Sequence, residues 1–233
     1  MSKEIELENG LKIQININAN IASIIESKKV TGDVLVPQKV LYEGKQFKIT
    51  TIKRFAFREA RFDSLIFQED SEVETFESYI FDEAFLKKLQ IPPKLKNIDK
   101  SCFCNAGGII DFDVSPKNKK YFYLENKYFV GKSDESNDTF DILFYSRYDI
   151  ENAIIPPQIK IISDRAFWNH EQLNSVIFPD NSKLKRIESG AFLRSKLSKI
   201  VLPATLEYIS SDAFTCTAYL TKIEISNKNE RAF

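Results

Sequence analysis

Residues 197–214 read LSKIVLPATLEYISSDAF. Apolar side chains fall at Leu197, Ile200, Leu202, Leu206, Ile209 and Phe214, and Pro203 directly follows Leu202. The step of two from Ile200 to Leu202 is strand periodicity. Proline cannot donate to a ladder, so Pro203 ends that strand. Beyond it the apolar sites run from Leu202 in steps of 4, 3 and 5 to Phe214. The same steps lead from Ile155 through Ile159 and Ile162 to Phe167, and from Ile91 through Leu95 and Ile98 to Phe103. The segments at Phe178 and Phe67 carry two extra residues before Leu184 and Val73, then keep the steps of 3 and 5 to Phe192 and Phe81. Five agreements in register are not chance; the chain is built from a repeat.

Between these segments lies a recurring apolar-x-x-apolar-x-apolar run. It appears as Phe62-Leu65-Phe67, Leu86-Leu89-Ile91, Ile109-Phe112-Val114, Ile150-Ala153-Ile155, Leu173-Val176-Phe178, Leu197-Ile200-Leu202 and Leu220-Ile223-Ile225. Each repeat, roughly 22 to 25 residues long, therefore reads as one short strand, a turn, and a return segment ending at Ala-Phe. Ser163-Asp164 and Ser211-Asp212 suit the start of a single helical or 3-10 turn. One such unit cannot bury its apolar face alone. Stacked units make a continuous core with a parallel sheet along one side, which is a solenoid. Nineteen Phe against one Met and one Trp fit a Phe held at one place in every coil, forming a ladder.

The register breaks between Phe103 and Phe167. Alternating aromatics at 128–130 and 140–145, separated by KSDESND, read as a β-hairpin. At the start, Ile5-Leu7 and Leu11-Ile13-Ile15-Ile17 flank Asn9-Gly10, a hairpin turn signal. An open solenoid exposes its end and needs a cap. The expected organisation is a hairpin cap over 1–29, a first repeat block over 30–114, a hairpin insertion over 115–149 and a second block over 150–233. Val34 to Phe57 is a first repeat with an insertion around Glu43-Gly44. No polar cap is legible after Ile225: either the tail 229–233 covers Ile223 and Ile225, or the chain is part of something longer.

Composition excludes more than it suggests. The chain has 233 residues, 43% apolar and 28% charged, with 33 basic and 33 acidic side chains. That balance gives no long-range pull toward nucleic acid or anionic lipid. No stretch is long and apolar enough to span a membrane, and MSKEIELENG lacks the apolar core of a signal peptide. Cys102, Cys104 and Cys216 are too few and too badly spaced for a disulfide framework, and read as buried or half-buried thiols. They do not make a zinc site, since His170 is the only histidine. His170 itself reads as an exposed turn residue. Asp111 and Asp113, and Glu69 and Asp70, are carboxylate pairs with no pocket to serve. Lys117-Asn118-Lys119-Lys120 reads as a solvated loop. No phosphate-binding glycine motif occurs. No catalytic residue, cofactor or metal is expected, and Asn137-Asp138-Thr139 is a lone glycosylation sequon.

The repeat resembles the BspA-like leucine-rich repeats, the surface-antigen or type 5 class, whose pattern is close to L-x-x-I-x-I-P-x-x-V-x-x-I-x-x-x-A-F. Residues 197–214 match it at nearly every defined position. TGDVLVPQKVLYEGKQFKITTIKRFAF (31–57) is similar to the family's usual first repeat, and the likeness covers about residues 20 to 226. It implies a strand-rich α/β solenoid with a parallel concave sheet, short helical or 3-10 turns and one hairpin insertion. It also implies an adhesin or surface antigen that recognises host matrix or cell-surface protein. The missing leader leaves a second expectation open, an intracellular scaffold binding other proteins.

The strand period then nominates a surface. Residues just before the last inward site should point to solvent: Ile66, Gln90, Asp113, Ile154, Ile177, Val201 and Glu224. Ile154, Ile177 and Val201 fall in consecutive coils and form an apolar stripe. The next column holds Ser64, Lys88, Asp111, Asn152, Ser175, Lys199 and Lys222. Asn152, Ser175 and Lys199 from it give the stripe a polar rim. These six residues are the expected partner-binding set.

Overall fold

The return turns are set by pairs of left-handed residues. In the computed structural model, which describes residues 2–136 and 138–226, Phe55 and Glu59 have φ of 61° and 62°, and Tyr79 and Glu83 have 54° and 56°. Arg165 and Asn169 (55° and 54°) and Gly190 and Arg194 (57° and 61°) repeat the arrangement. Each pair brackets the apolar-Phe step, as in Phe55-Ala56-Phe57-Arg58-Glu59. Only three residues remain between the two, too few for an i→i−4 ladder. The backbone donors go sideways instead. Phe57 N–H donates to Ile80 O at 2.9 Å, Phe167 N–H to Ala191 O at 2.8 Å, and Phe192 N–H to Ala213 O at 2.8 Å. The helical turns expected after Ser163-Asp164 and Ser211-Asp212 are therefore absent; no helix occurs among the described residues, and the α/β expectation gives way to an all-β stack.

The chain forms two units, Met1–Asn126 and Lys127–Phe233. In the first, the strands are β1 (Ser2–Glu6), β2 (Lys12–Asn16), β3 (Ile21–Ile24), β4 (Asp33–Val36), β5 (Lys39–Tyr42), β6 (Lys45–Ile52), β7 (Ser64–Phe67), β8 (Thr75–Phe76), β9 (Lys88–Ile91), β10 (Asn97–Ile98), β11 (Asp111–Val114) and β12 (Tyr121–Leu124). β4, β7, β9 and β11 form a parallel sheet in that order. A second sheet runs β1-β2-β3-β6-β8-β10, with β5 antiparallel to β6. β1 and β2 are an antiparallel hairpin, with Gly10 in its turn at φ 82°. β2 pairs antiparallel with β3, and β3 pairs parallel with β6.

The second unit holds β13 (Tyr128–Gly131), β14 (Ile142–Ser146), β15 (Asn152–Ile154), β16 (Ile161–Ile162), β17 (Ser175–Ile177), β18 (Arg186–Ile187), β19 (Lys199–Leu202), β20 (Tyr208–Ile209) and β21 (Lys222–Ile225). β13 and β14 are the antiparallel hairpin read from the alternating aromatics. β14 then leads a parallel row β14-β16-β18-β20, while β15-β17-β19-β21 is the second parallel sheet. Each coil thus carries two strands, not one. The extra two-residue strands end on Phe76, Ile98, Ile162, Ile187 and Ile209, the apolar sites five residues before each Phe.

The Phe ladder fills the core. Phe57, Phe81 and Phe103 stack with centroids 5.9 and 6.0 Å apart at 11° and 9°. Phe167, Phe192 and Phe214 stack at 5.1 and 5.2 Å with 16° and 3°. Offset stacking of this kind adds to the burial of each ring. Ile223 and Ile225, assigned inward by the pattern, are 50% and 69% exposed, because β21 is an edge strand. The tail thought to cover them, 229–233, and the sequon residue Asn137 lie outside the described residues.

Candidate functional site

Three strands of the second unit place the expected set. β15 and β17 pair Asn152 with Ser175 and Ile154 with Ile177; β17 and β19 pair Ser175 with Lys199. Between these columns Ala153, Val176 and Ile200 turn inward and are buried. Period two alone decides this, since alternate side chains leave opposite faces of a strand. Ile154 is 56% and Ile177 is 50% exposed, while Val201 is half-buried. Ser175 Oγ donates to Asn152 Oδ1 at 2.7 Å. Lys199 Nζ lies 3.1 Å from Glu224 Oε2, and Lys222 also reaches that carboxylate. The Lys222 and Lys199 contacts hold the Glu224 carboxyl below its ordinary range. Val201 pairs with Glu224 on β21, so the apolar column becomes acidic at its fourth place.

Beside the stripe is a cleft of about 290 Å³, walled by Pro179 and Pro203, with Ile177 and Val201 on its sheet side. Asp180, Thr205 and Ser226 supply polar atoms at its edge. Its lining thus mixes apolar and polar groups, as ligand pockets do.

The equivalent face of the first unit differs. Its columns are Asp33-Ser64-Lys88-Asp111 and Leu35-Ile66-Gln90-Asp113. Lys88 Nζ sits 3.2 Å from Asp111 Oδ2, and Gln90 Nε2 donates to Asp113 Oδ2 at 3.1 Å. Gln90 Oε1 accepts from Phe67 N–H at 2.7 Å. Ser64, expected at the surface, is buried and donates to Asp33. The face meets most of its own polar needs from strand to strand. Asp111 and Asp113 are thereby engaged separately, by a lysine and by an amide.

Two expectations change here. His170 is fully buried, not exposed: Nδ1 lies 3.0 Å from Trp168 O and Nε2 3.3 Å from Ser146 O. The sequence gives no sign of this, because the partner carbonyl comes from 24 residues away. Cys102 and Cys104 are buried, and burial pushes the Cys102 thiol well up, but Cys216 is exposed. Lys117, in its loop, reaches Glu69 at 3.5 Å. Among the described residues no group of His, Cys, Asp or Glu has the arrangement to hold a metal ion, and no helix is long and apolar enough to cross a membrane.

Parallel sheets of short strands, an in-register Phe ladder and an exposed strand face define a leucine-rich-repeat solenoid. The chain belongs to the BspA-type leucine-rich repeat proteins: that family's pattern matches residues 45–133 and 140–232 in six copies. No curated protein matches the sequence significantly. Among solved structures, a leucine-rich repeat protein from Eubacterium ventriosum is similar with a TM-score of 0.61 and 16% identity, over 98% of this chain and 73% of that one. The pneumococcal vaccine antigen PcpA gives 0.53 and 14%, over 97% and 82%. At such identities the likeness is one of fold.

Proposed function

We propose that this chain is a non-enzymatic protein-binding module of the surface-antigen or adhesin type, which recognises a host or cell-surface protein through the outward face of β15, β17 and β19. The observation that carries the reading is the contrast between the two units. One presents Ile154 and Ile177 half-exposed and adjacent; the other has Leu35 as the exposed apolar residue of its columns, which turn polar at Gln90 and Asp113 and are cross-linked there. A contiguous exposed apolar patch marks an interaction site. Asn152, Ser175 and Lys199 give it a polar rim, as interfaces have. A vaccine antigen among proteins of the same fold supports the surface reading. In this reading 1–29 serves as cap, 30–114 and 150–233 as repeat blocks, and 115–149 as the inserted hairpin.

The test is Ile177→Asp. Binding to the captured partner should fall at least tenfold, an ordinary loss for a central contact. Thermal stability should drop by no more than about 1 kcal/mol, the span of strand propensity at an exposed site. A much larger loss of stability would show Ile177 to be core and remove the stripe as a surface.

A second reading, an intracellular protein-binding scaffold, is favoured by one observation: Cys102 is a buried thiol outside any disulfide. Unpaired thiols are commonest in reducing compartments. Surface biotinylation of intact source cells separates the two. Labelling supports the adhesin; its absence, with recovery of the protein in the cytosolic fraction, supports the scaffold.

A further inference from the structure

In the three regular coils of the first unit, the residue three places after the ladder Phe is Ala60, Ala84 or Ala106. All three are buried, at places where one turn presses on the next. In the second unit the same column reads His170, Ser195 and Thr217. His170 stands where the preceding neighbour is not another turn but the exit of the hairpin, β14 and residues 147–149.

The contacts of His170 join the two. Its Nε2 faces Ser146 O at 3.3 Å. The rings of Tyr145 and Tyr148 lie 6.0 and 5.4 Å from the imidazole, and that of Phe167 lies 5.5 Å away. The adjoining Asn169 Nδ2 donates to Tyr148 Oη at 3.1 Å, and Ser146 N–H donates to Ala166 O at 3.0 Å. One fully buried imidazole therefore sits at the centre of the seam between hairpin and coil stack.

Both ring nitrogens face carbonyl oxygens. A neutral ring has one N–H, so it satisfies one carbonyl and turns a lone pair toward the other. A protonated ring would satisfy both, but as a buried cation among aromatic walls. The charged and titratable groups that face it are Tyr145, Arg147, Tyr148 and Asp149 from the hairpin exit; its own turn and the next coil add only the exposed Glu171 and Lys196, the latter reaching His170 O through its backbone N–H. Asp149 favours the cation, yet that carboxylate is already taken bidentately by Arg147, with Nη2 at 2.8 Å. Burial outweighs the carbonyls and Asp149, and lowers the affinity of the folded ring for its proton.

We propose that His170 is a proton-sensitive latch, holding the hairpin exit on the coil stack while neutral and loosening it in mild acid. The sign follows from linkage. A histidine held low in the closed state costs the open state nothing above pH about 6.5. Below that the open state takes up the proton and the closed state does not, so opening is favoured as pH falls.

With a single histidine in the chain, the imidazole NMR signal is unambiguous. Its titration should fall below pH 6.5, and a midpoint at or above that value would overturn the latch. The second measurement is amide exchange at Ser146 and Ser163, whose N–H groups donate across the seam to Ala166 O and Leu143 O. Corrected for intrinsic rates, their opening should rise between pH 7.5 and 5, up to tenfold for each pH unit by which the ring is depressed. His170→Gln keeps an N–H donor but does not titrate, and its profile should be flat. An equal rise in His170→Gln, or no rise in the wild type, would sink the proposal.

Discussion

A left-handed backbone costs an ordinary L-residue about 1–2 kcal/mol, yet this chain places Phe55, Tyr79, Glu83 and Arg165 there. The return is geometric: two such residues four apart swing the turn so that its N–H groups meet the next coil's carbonyls. Glu83 isolates the cost, being exposed and at φ 56°. Glu83→Gly should be neutral to about 1 kcal/mol stabilising, because relief of strain exceeds glycine's extra unfolded entropy of about 0.4–1 kcal/mol. Glu83→Val should destabilise by about 1 kcal/mol or more, since a β-branched residue tolerates this region least. Urea unfolding of the three proteins gives the order, and a glycine variant weaker than the valine one would contradict the strain account. Nothing in the sequence announces these turns. Gly190, Asn105 and Asn169 are the usual left-handed residues, but Phe55 and Arg165 occupy the same conformation with no local preference for it. That is why Ser163-Asp164 reads as the start of a helical turn that does not form. His170 was illegible for a related reason: its burial is decided by a neighbour 24 residues away.

Among elements, the hairpin was legible and its fastening was not. Alternating aromatics place β13 and β14, and both strands contribute buried Tyr128, Phe129, Leu143 and Tyr145. The loop between them is tied at its base by Asp141. Burial pushes that carboxyl up, but Ser133 N–H at 2.9 Å, Ser133 Oγ at 2.7 Å and Lys160 Nζ at 3.1 Å outweigh it and hold it below the ordinary carboxylate range. A depressed carboxyl contributes stability that is present above its unfolded pKa and lost as pH falls through its lower folded value. Asp141→Asn should therefore cost about 1–3 kcal/mol at pH 7, as for a hydrogen-bonded charge removed from a buried site. The difference from wild type should shrink below pH 4. A pH-independent difference would mean that shape, not charge, fastens the loop. The strand columns of the candidate surface were legible because period two survives in a three-residue strand such as Asn152–Ile154. The two-residue strands such as Ile161–Ile162 were not, since two residues carry no period.

At the scale of the molecule, the equal counts of acid and base have a local origin. Ion pairs link one coil to the next, as in Lys87–Asp63, Lys96–Glu74, Lys185–Glu207 and Lys199–Glu224. A repeat that sets Lys beside an acidic residue one coil away tends to neutrality whatever its length. These pairs are exposed, and such pairs contribute about 0–1 kcal/mol each, so they set register more than stability. Stability resides in the ladder, and a ladder couples only nearest neighbours. Phe192 lies between Phe167 and Phe214, each within 5.2 Å, and is fully buried. Phe192→Ala should cost the second unit about 3–5 kcal/mol, as for a large core aromatic removed. The loss of amide protection should be greatest in β16, β18 and β20, which share its coil or flank it, and smaller in β13, two strand positions beyond β16. Residue-resolved hydrogen exchange reads both quantities. A near-neutral change would remove the Phe ladder as the source of cohesion. A loss of protection spread evenly over the unit would mean that its coils unfold as one body, and the nearest-neighbour description would fail.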